Sequence, residues 1–525
     1  MIPTEIELKL RLSPKHVADL QCLPLLKSMS MTRPITQKLY SIYYDTPDLH
    51  LMHHGIALRL RRVGRHWIQT IKGGGSASAG LHQHNEWEAR VSNEQPDFTK
   101  ITDPNLIRLL SGPQLRKQLR PIFTTDFSRH TRLLQLNDGS QAEFSLDQGK
   151  ISTDRKKSAL CEIEIELKSG NSVQLLEFAL VLSRAFPFPL RLENTNKAER
   201  GFALYSGQKR PPSKAQPLVM HPDTDLAAAF KEVLQNCLTH LNNNENGLLE
   251  DSNSEYLHQM RIALRRQQSA LNQFSQALPK DRLLLAIAPE LKWLTRQFNP
   301  ARDWDVFCTQ TLPMIHTGFP DHTGINKLKK SCLRLRHKHY KSAQHAVKSK
   351  RYLEIMLKLS LWLNSKQLSP QFRSGNPAAS LHTSVIPFSN TLLTNQHQQL
   401  KKYGNSLTTL STSSLHSFRI SIKKQRYLTE FFITLYPGRE SSQYLRSLHE
   451  LQDILGVIND QAVIKQYLKK IKITRKTTTQ SEAIGIILGW VAHQTLLQKP
   501  ALNRAWISFN KTAPFWQKTT AGKRA

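Results

Sequence analysis

The feature that most constrains this chain is a set of strands in which charged and apolar residues alternate one for one. Across Thr4–Leu12, Glu5, Glu7, Lys9 and Arg11 fall on one face of an extended strand, and Ile6, Leu8, Leu10 and Leu12 on the other. One such strand is ordinary, because a half-buried strand turns its charged face to water. Here the pattern recurs with both charge signs. Arg59 and Arg61 alternate with Leu58 and Leu60, Glu86 and Glu88 flank Trp87, and Lys72 ends the short run Trp67–Lys72. Glu143 and Asp147 share a face, and Glu162, Glu164 and Glu166 alternate with Ile163, Ile165 and Leu167. If the apolar faces pack outward on helices, the charges line the inside of a closed antiparallel barrel. Such an interior cannot be a dry core, because unpaired buried charge is costly, so it must hold water, ions and a ligand. Carboxylates on two strands suit Mg2+ or Mn2+, which favour oxygen ligands, while Arg and Lys suit phosphate oxygens. Together they are the equipment of phosphoryl transfer to water.

The strand pattern runs over residues 1–205, with Gly and Asn/Asp punctuation at Gly73–Gly75, Asn137–Gly139 and Ser169–Asn171. Helix-like stretches interrupt it around 14–28, 103–118 and 172–185. Residues 206–222 read as a linker, basic and proline-rich over Gln208–Pro217, and from 223 to 525 the pattern is helical. The expected fold class is therefore α+β: an N-terminal antiparallel β tunnel with covering helices, followed by an all-α domain.

The helical part contains an internal repeat. His258-Gln-Met-Arg261-Ile-Ala-Leu-Arg265-Arg266 aligns with His416-Ser-Phe-Arg419-Ile-Ser-Ile-Lys423-Lys424, and Arg302-Asp303 with Asn459-Asp460 further on, in the same order and at nearly the same spacing. Two related helical bundles are predicted, about 223–364 and 385–520, joined by a Ser-, Pro-, Gly- and Gln-containing loop at Ser365–Ser384. His258, Arg261 and Arg265 are spaced i, i+3, i+7 and so share a helix face, with Arg266 close by; His416, Arg419, Lys423 and Lys424 repeat the arrangement, and Arg426 adds a neighbouring charge. A third basic stretch, Lys327–Lys341, carries Lys330 and Arg334, and by itself reads as a solvated face. The duplicated histidine is harder to assign to solubility, whereas imidazole N–H groups beside Arg and Lys suit phosphate.

Charge supports this division. The formal net charge is +33, of which +9 falls in residues 1–210 and +24 in the remainder, so the C-terminal part is built to meet a polyanion. Nucleic acid is disfavoured by the absence of a recognisable motif and of an aromatic stacking array. The five cysteines lie far apart without CxxC spacing, which indicates neither a disulfide framework nor a zinc site and fits a reducing cytoplasm. No apolar stretch approaches the roughly 20 residues of a membrane span. The chain is thus expected to be soluble, unprocessed and cytoplasmic.

The motif Glu5-Ile-Glu7-Leu-Lys9 resembles the ExExK signature of the CYTH (triphosphate tunnel) superfamily, which includes inorganic triphosphatases, thiamine triphosphatases and class IV adenylate cyclases. Matching segments follow in order over residues 2–206: Tyr43–Thr46, Leu58–Arg61, Thr70–Lys72, Thr125–Arg129, Leu146–Gly149, Cys161–Glu166 and Lys197–Gly201. The resemblance implies Glu5, Glu7, Glu162 and Glu164 as metal carboxylates. It implies Lys9, Arg59, Arg61, Lys72, Arg129 and Lys197 as triphosphate ligands. Glu166 and Asp147 would be further acidic members, placing a second metal or the attacking water. The helical repeats resemble the CHAD family, in which basic faces bind inorganic polyphosphate. This implies hydrolysis of inorganic tripolyphosphate to pyrophosphate and phosphate, with long-chain polyphosphate held by the helical domain and an association with polyphosphate granules. The competing readings are a polyphosphate-binding protein with a weakly active tunnel, and a CYTH enzyme acting on an organic triphosphate.

Overall fold

The computed structural model describes residues 4–520 other than 79, 252, 276–280, 366–383, 405–406, 408–410 and 471–477. Most of the predicted loop at Ser365–Ser384 lies outside the described residues. Packing divides the chain into two units, residues 1–211 with 347–365, and residues 212–346 with 366–525.

The first unit is built on nine strands: β1 (Thr4–Arg11), β2 (Ile35–Asp45), β3 (Ile56–Val63), β4 (His66–Ser78), β5 (Leu81–Val91), β6 (Arg120–Gln135), β7 (Gln141–Ser152), β8 (Lys157–Ser169) and β9 (Arg191–Leu192). They follow the order β5-β4-β3-β2-β6-β7-β8-β1-β9, and β5 also pairs with β1, so eight strands close into an antiparallel barrel with β9 appended to β1. The register places like-facing charges side by side. Glu7 lies opposite Glu166, Lys9 opposite Glu164, Arg129 opposite Asp147, Asp147 opposite Glu162 and Lys72 opposite Glu86.

The intervening apolar residues form the outer cores, as strict alternation requires. Leu8, Leu10, Ile163 and Ile165 are fully buried, as are Leu175, Leu176, Ala179 and Leu182 of α6 (Val173–Ala185). On another side Ile42, Leu58, Leu60 and Ile71 pack with Leu106 and Leu110 of α4 (Pro104–Leu110), which is followed by α5 (Pro113–Gln118). The stretch 14–28 resolves into a 3-10 turn and the short helices α1 (Val17–Gln21) and α2 (Pro24–Ser28). Two helices were not foreseen: α3 (His50–His53) and α7 (Lys197–Ser206). α7 starts with a capping box, in which the Asn196 side chain accepts from the Glu199 backbone and Glu199 reaches back. Gly201 lets it approach β6, because an added Cβ there would sit 2.1 Å from the Phe123 ring.

The helical unit comprises α8 (Leu226–Glu250), α9 (Glu255–Phe274), α10 (Arg282–Val306), α11 (Leu312–Gly318) and α12 (Thr323–Val347). After α13 (Lys350–Asn364) come α14 (Val385–Gly404), α15 (Thr412–Phe432), α16 (Arg439–Lys470) and α17 (Thr478–Lys511). The repeat is visible here: α8 and α9 pair as α14 and α15 do, and α9 meets α15 across the two halves. The expected first repeat extended to residue 364, but its last helix belongs by packing to the barrel unit. α13 lies against α6 and β9, Lys350 donates to the Phe186 carbonyl, and Glu354 lies 3.9 Å from Arg184.

Candidate active site and anion cleft

The barrel encloses a cavity of about 1520 Å3 lined by carboxylates and cations together. Glu5, Glu7, Lys9, Arg59, Arg61, Lys72, Arg129, Glu164, Glu166 and Lys197, all singled out from the sequence, reach it. Asp147 and Glu162 do not line it; they lie buried beneath Lys197.

Most of these cations are held by carboxylates. Lys9 Nζ is 2.8 Å from Glu7 and 2.7 Å from Glu164. Lys72 is 2.6 Å from Glu5 and 3.0 Å from Glu86, and Arg59 is 3.4 Å from Glu86 and 3.1 Å from the Thr70 hydroxyl. Arg129 grips Asp147 with two N–H groups, at 2.8 and 2.7 Å, and also contacts Glu164. Lys197 Nζ sits between Asp147, Glu162 and Glu164 at 2.7, 2.6 and 2.7 Å. Burial opposes each charge, but the partners prevail: Glu164 and Glu7 hold Lys9 well above its ordinary pKa, and Lys197, Lys9 and Arg129 hold Glu164 well below the usual carboxylate range.

Arg61 is different. Its Nε donates to the Ser41 hydroxyl at 3.4 Å, and among the described residues no carboxylate lies within ion-pair distance. Burial, with Arg59 and Arg129 nearby, pushes the guanidinium down to about 10.

The carboxylates also divide. Oxygens of Asp147, Glu162 and Glu164 lie within 4.8 Å of one another, close enough for a metal, yet the cation at their centre is the Lys197 ammonium. Arg200 adds a further ion pair to Glu162. At the level of Glu7, Glu166 pairs in register with Glu7 on one side and Glu143 on the other. Burial, then Glu5 and Glu143, push Glu166 above its ordinary pKa despite an ion pair to Lys168. An under-neutralised group of hard oxygen donors facing a wet cavity fits a divalent cation.

Sequence reasoning gave no role to Glu86, Glu88, Glu143, Thr70 or Ser41. Glu86 opposite Lys72, Glu88 opposite Thr70 and Ser41 opposite Arg61 follow from register, which needs the strand pairing as well as the alternation.

In the helical unit the two stripes meet. Arg261 donates to Asn299 at 2.8 Å and lies 3.3 Å from Asp303, whose other oxygen accepts from Tyr467 at 3.0 Å. Arg265, Arg419 and Lys423 have no carboxylate within ion-pair distance among the described residues, and Arg419 Nε is buried without a hydrogen-bond partner. Burial and then Arg302, Arg261 and Arg265 push His258 down to about 3, and burial with Arg265, Arg419 and Arg261 pushes Lys423 down to about 5. His258, Arg261 and Arg265 from α9 thus face Arg419 and Lys423 from α15 in one cleft.

The other predicted polyphosphate ligands are not brought into it. Arg266 is buried, donates to Asn236 and lies over the Phe431 ring. Arg426 is buried against Glu430, Gln452 and Tyr427. His416 is exposed and hydrogen-bonded to Asn459, and Lys424, Lys330 and Arg334 are exposed.

A family model of the CYTH domain matches residues 3–202, and one of the CHAD domain matches residues 232–469. An inorganic triphosphatase from Haemophilus influenzae is 34% identical over 206 residues, 39% of this chain. The chain spans only 56% of that relative's length. Among solved structures, a CHAD domain from the plant Ricinus communis is 29% identical with a TM-score of 0.49, over 57% of this chain and 98% of that one. A candidate adenylyl cyclase from Hippeastrum with a dominant triphosphatase activity is 17% identical with a TM-score of 0.29, over 39% of this chain and 98% of that one.

Proposed function

Because the chain joins a CYTH domain, residues 3–202, to a CHAD domain, residues 232–469, we propose that it hydrolyses inorganic triphosphate in its barrel and binds polyphosphate through its helical unit. The observation that carries the reading is a closed barrel whose wet interior mixes cations with under-neutralised carboxylates. The printed activity of the Haemophilus influenzae relative supports the choice of substrate.

In this reading Glu5, Glu7, Glu164 and Glu166, with Glu143 alongside, hold Mg2+ or Mn2+. A bound divalent cation supplies positive charge to the phosphoryl oxygens as the bond breaks. Arg61, which has no carboxylate to leave, is the first anchor for an entering phosphate. Arg59, Lys72 and Lys9 exchange part of their carboxylate contacts for phosphate oxygens, and Arg129 completes the cradle. Lys197 is aimed by Asp147 and Glu162, so we assign those two acids to positioning and place Glu162 outside the metal set. Water oxygen joins the terminal phosphorus, the bridging P–O bond breaks, and pyrophosphate leaves. Glu166 is the carboxylate best suited to take the water's proton, since its neighbours favour the protonated form.

The cleft between α9 and α15 would hold the longer chain, concentrating the enzyme near polyphosphate. A second reading, an organic triphosphate as substrate, is favoured by Leu49, Met52, Ile56 and Phe202 on the cavity wall. A phosphate-release panel of tripolyphosphate, thiamine triphosphate, ATP and long-chain polyphosphate under Mg2+ and Mn2+ decides. The main reading requires tripolyphosphate to be turned over fastest, and fails if it is not turned over at all.

A further inference from the structure

The cleft between α9 and α15 holds more positive charge than its surroundings neutralise. From α9 come His258, Arg261 and Arg265, and from α15 Arg419 and Lys423. Arg302 and Asp303 face them from α10, and Asp460 from α16. Of the two acids, Asp303 is engaged by Arg261 and Tyr467, and Asp460 accepts from the Asn459 amide. His416 and Asn459 bond to each other at 2.9 Å, and Tyr427 flanks Arg419. Lys423 therefore stands among three guanidiniums with no carboxylate at ion-pair distance among the described residues. Of these cationic groups an amine is the one able to give up its charge readily, because a guanidinium does not deprotonate in the working range of pH.

We propose that this cleft is proton-linked: when a phosphate chain enters, Lys423 takes up a proton from solvent onto Nζ, so that the helical unit holds polyphosphate more tightly as pH falls. The inference rests on the reading of the cleft as the polyphosphate site and adds its regulation. Each anionic oxygen that enters offsets the guanidinium charges and offers the ammonium an acceptor, which restores the amine's ordinary preference for the proton. In the empty cleft burial and the three arginines hold Lys423 down to about 5, so at neutral pH the change on binding approaches one full proton.

The test is isothermal titration calorimetry of the full chain with long-chain polyphosphate, in EDTA to prevent turnover. It is run in buffers of differing ionisation enthalpy at neutral pH, and again as a pH series. A long chain is used because its two ends, the groups that titrate near neutrality, then contribute little. Wild type should take up close to one proton per cleft, and its affinity should fall about tenfold per pH unit over the mildly acidic to alkaline range. Lys423→Gln should still bind, with the uptake nearly abolished and the pH dependence flattened. Because this substitution removes a crowded cation, its Tm should equal or exceed that of wild type at neutral pH. Binding by wild type without proton uptake overturns the inference and leaves the polyphosphate reading standing, and so does unchanged uptake by Lys423→Gln. Absence of binding overturns the reading and the inference together.

Discussion

Arg61 and Arg129 are both buried guanidiniums facing the same cavity, yet their replacement by alanine should have opposite effects on stability. Arg129 makes two hydrogen bonds to Asp147, at 2.8 and 2.7 Å, and contacts Glu164. Arg129→Ala leaves a fully buried carboxylate short of its partner, a change that costs about 3–5 kcal/mol when a buried pair is broken from one side. Lys197, 2.7 Å from Asp147, remains and should keep the loss near the lower end of that range. Arg61 has only the 3.4 Å contact to Ser41, and Arg59 and Arg129 crowd it. Arg61→Ala should therefore be neutral or slightly stabilising. Its cost falls on the reaction: two charge-assisted hydrogen bonds to a phosphate, at roughly 1.5–3 kcal/mol each, amount to about 3–6 kcal/mol of transition-state stabilisation. That corresponds to a loss of about 10²-fold or more in kcat/KM for tripolyphosphate. Calorimetric melting of both variants beside steady-state phosphate release measures the two effects separately. The reasoning is refuted if Arg61→Ala melts well below wild type, or if it keeps kcat/KM within about tenfold of wild type.

Glu7→Gln should leave the melting temperature close to wild type and reduce phosphate release by more than about tenfold, with raised Mn2+ restoring part of the rate; no rescue at any metal concentration would remove Glu7 from the metal set. Glu166 has a raised folded-state pKa, so its protonated form favours the native state at acid pH and that contribution is lost as pH rises through the folded value. Glu166→Gln should then be more stable than wild type at neutral pH and equal to it in acid, a difference read from melting curves across pH. Residues 1–205 expressed alone lack α13, which packs on α6, and should aggregate or melt lower than the full chain by light scattering and calorimetry. A fragment as stable as the intact barrel unit would show that α13 is dispensable.

The alternation in Thr4–Leu12 and Cys161–Leu167 made the barrel legible, because a period of two fixes which side chains turn inward before any pairing is known. It could not give register, and register decides that Lys197 is caged by Asp147, Glu162 and Glu164 while Arg61 is left without an acid. Helical spacing placed His258, Arg261 and Arg265 on one face correctly. At about 100° per residue, Arg266 is turned about 80° from His258, which takes it toward the bundle and the Phe431 ring. Lys424 holds the same repeat position and is exposed, so turn angle alone does not settle burial; the neighbouring helices do. α13 was read with the helical repeat because its sequence is helical, and nothing local in it specifies that its partners are α6 and β9.

The central claim is that the mixed-charge interior of the barrel breaks a phosphoanhydride bond. The direct measurement is product analysis by phosphorus NMR of tripolyphosphate incubated with the full chain, with and without Mg2+ or Mn2+. The account predicts phosphate and pyrophosphate appearing in equal amounts only when metal is present, and no release by Glu7→Gln. Intact tripolyphosphate under both metals, in a sample that still binds long-chain polyphosphate, would contradict it and leave the protein a polyphosphate binder with an inactive barrel.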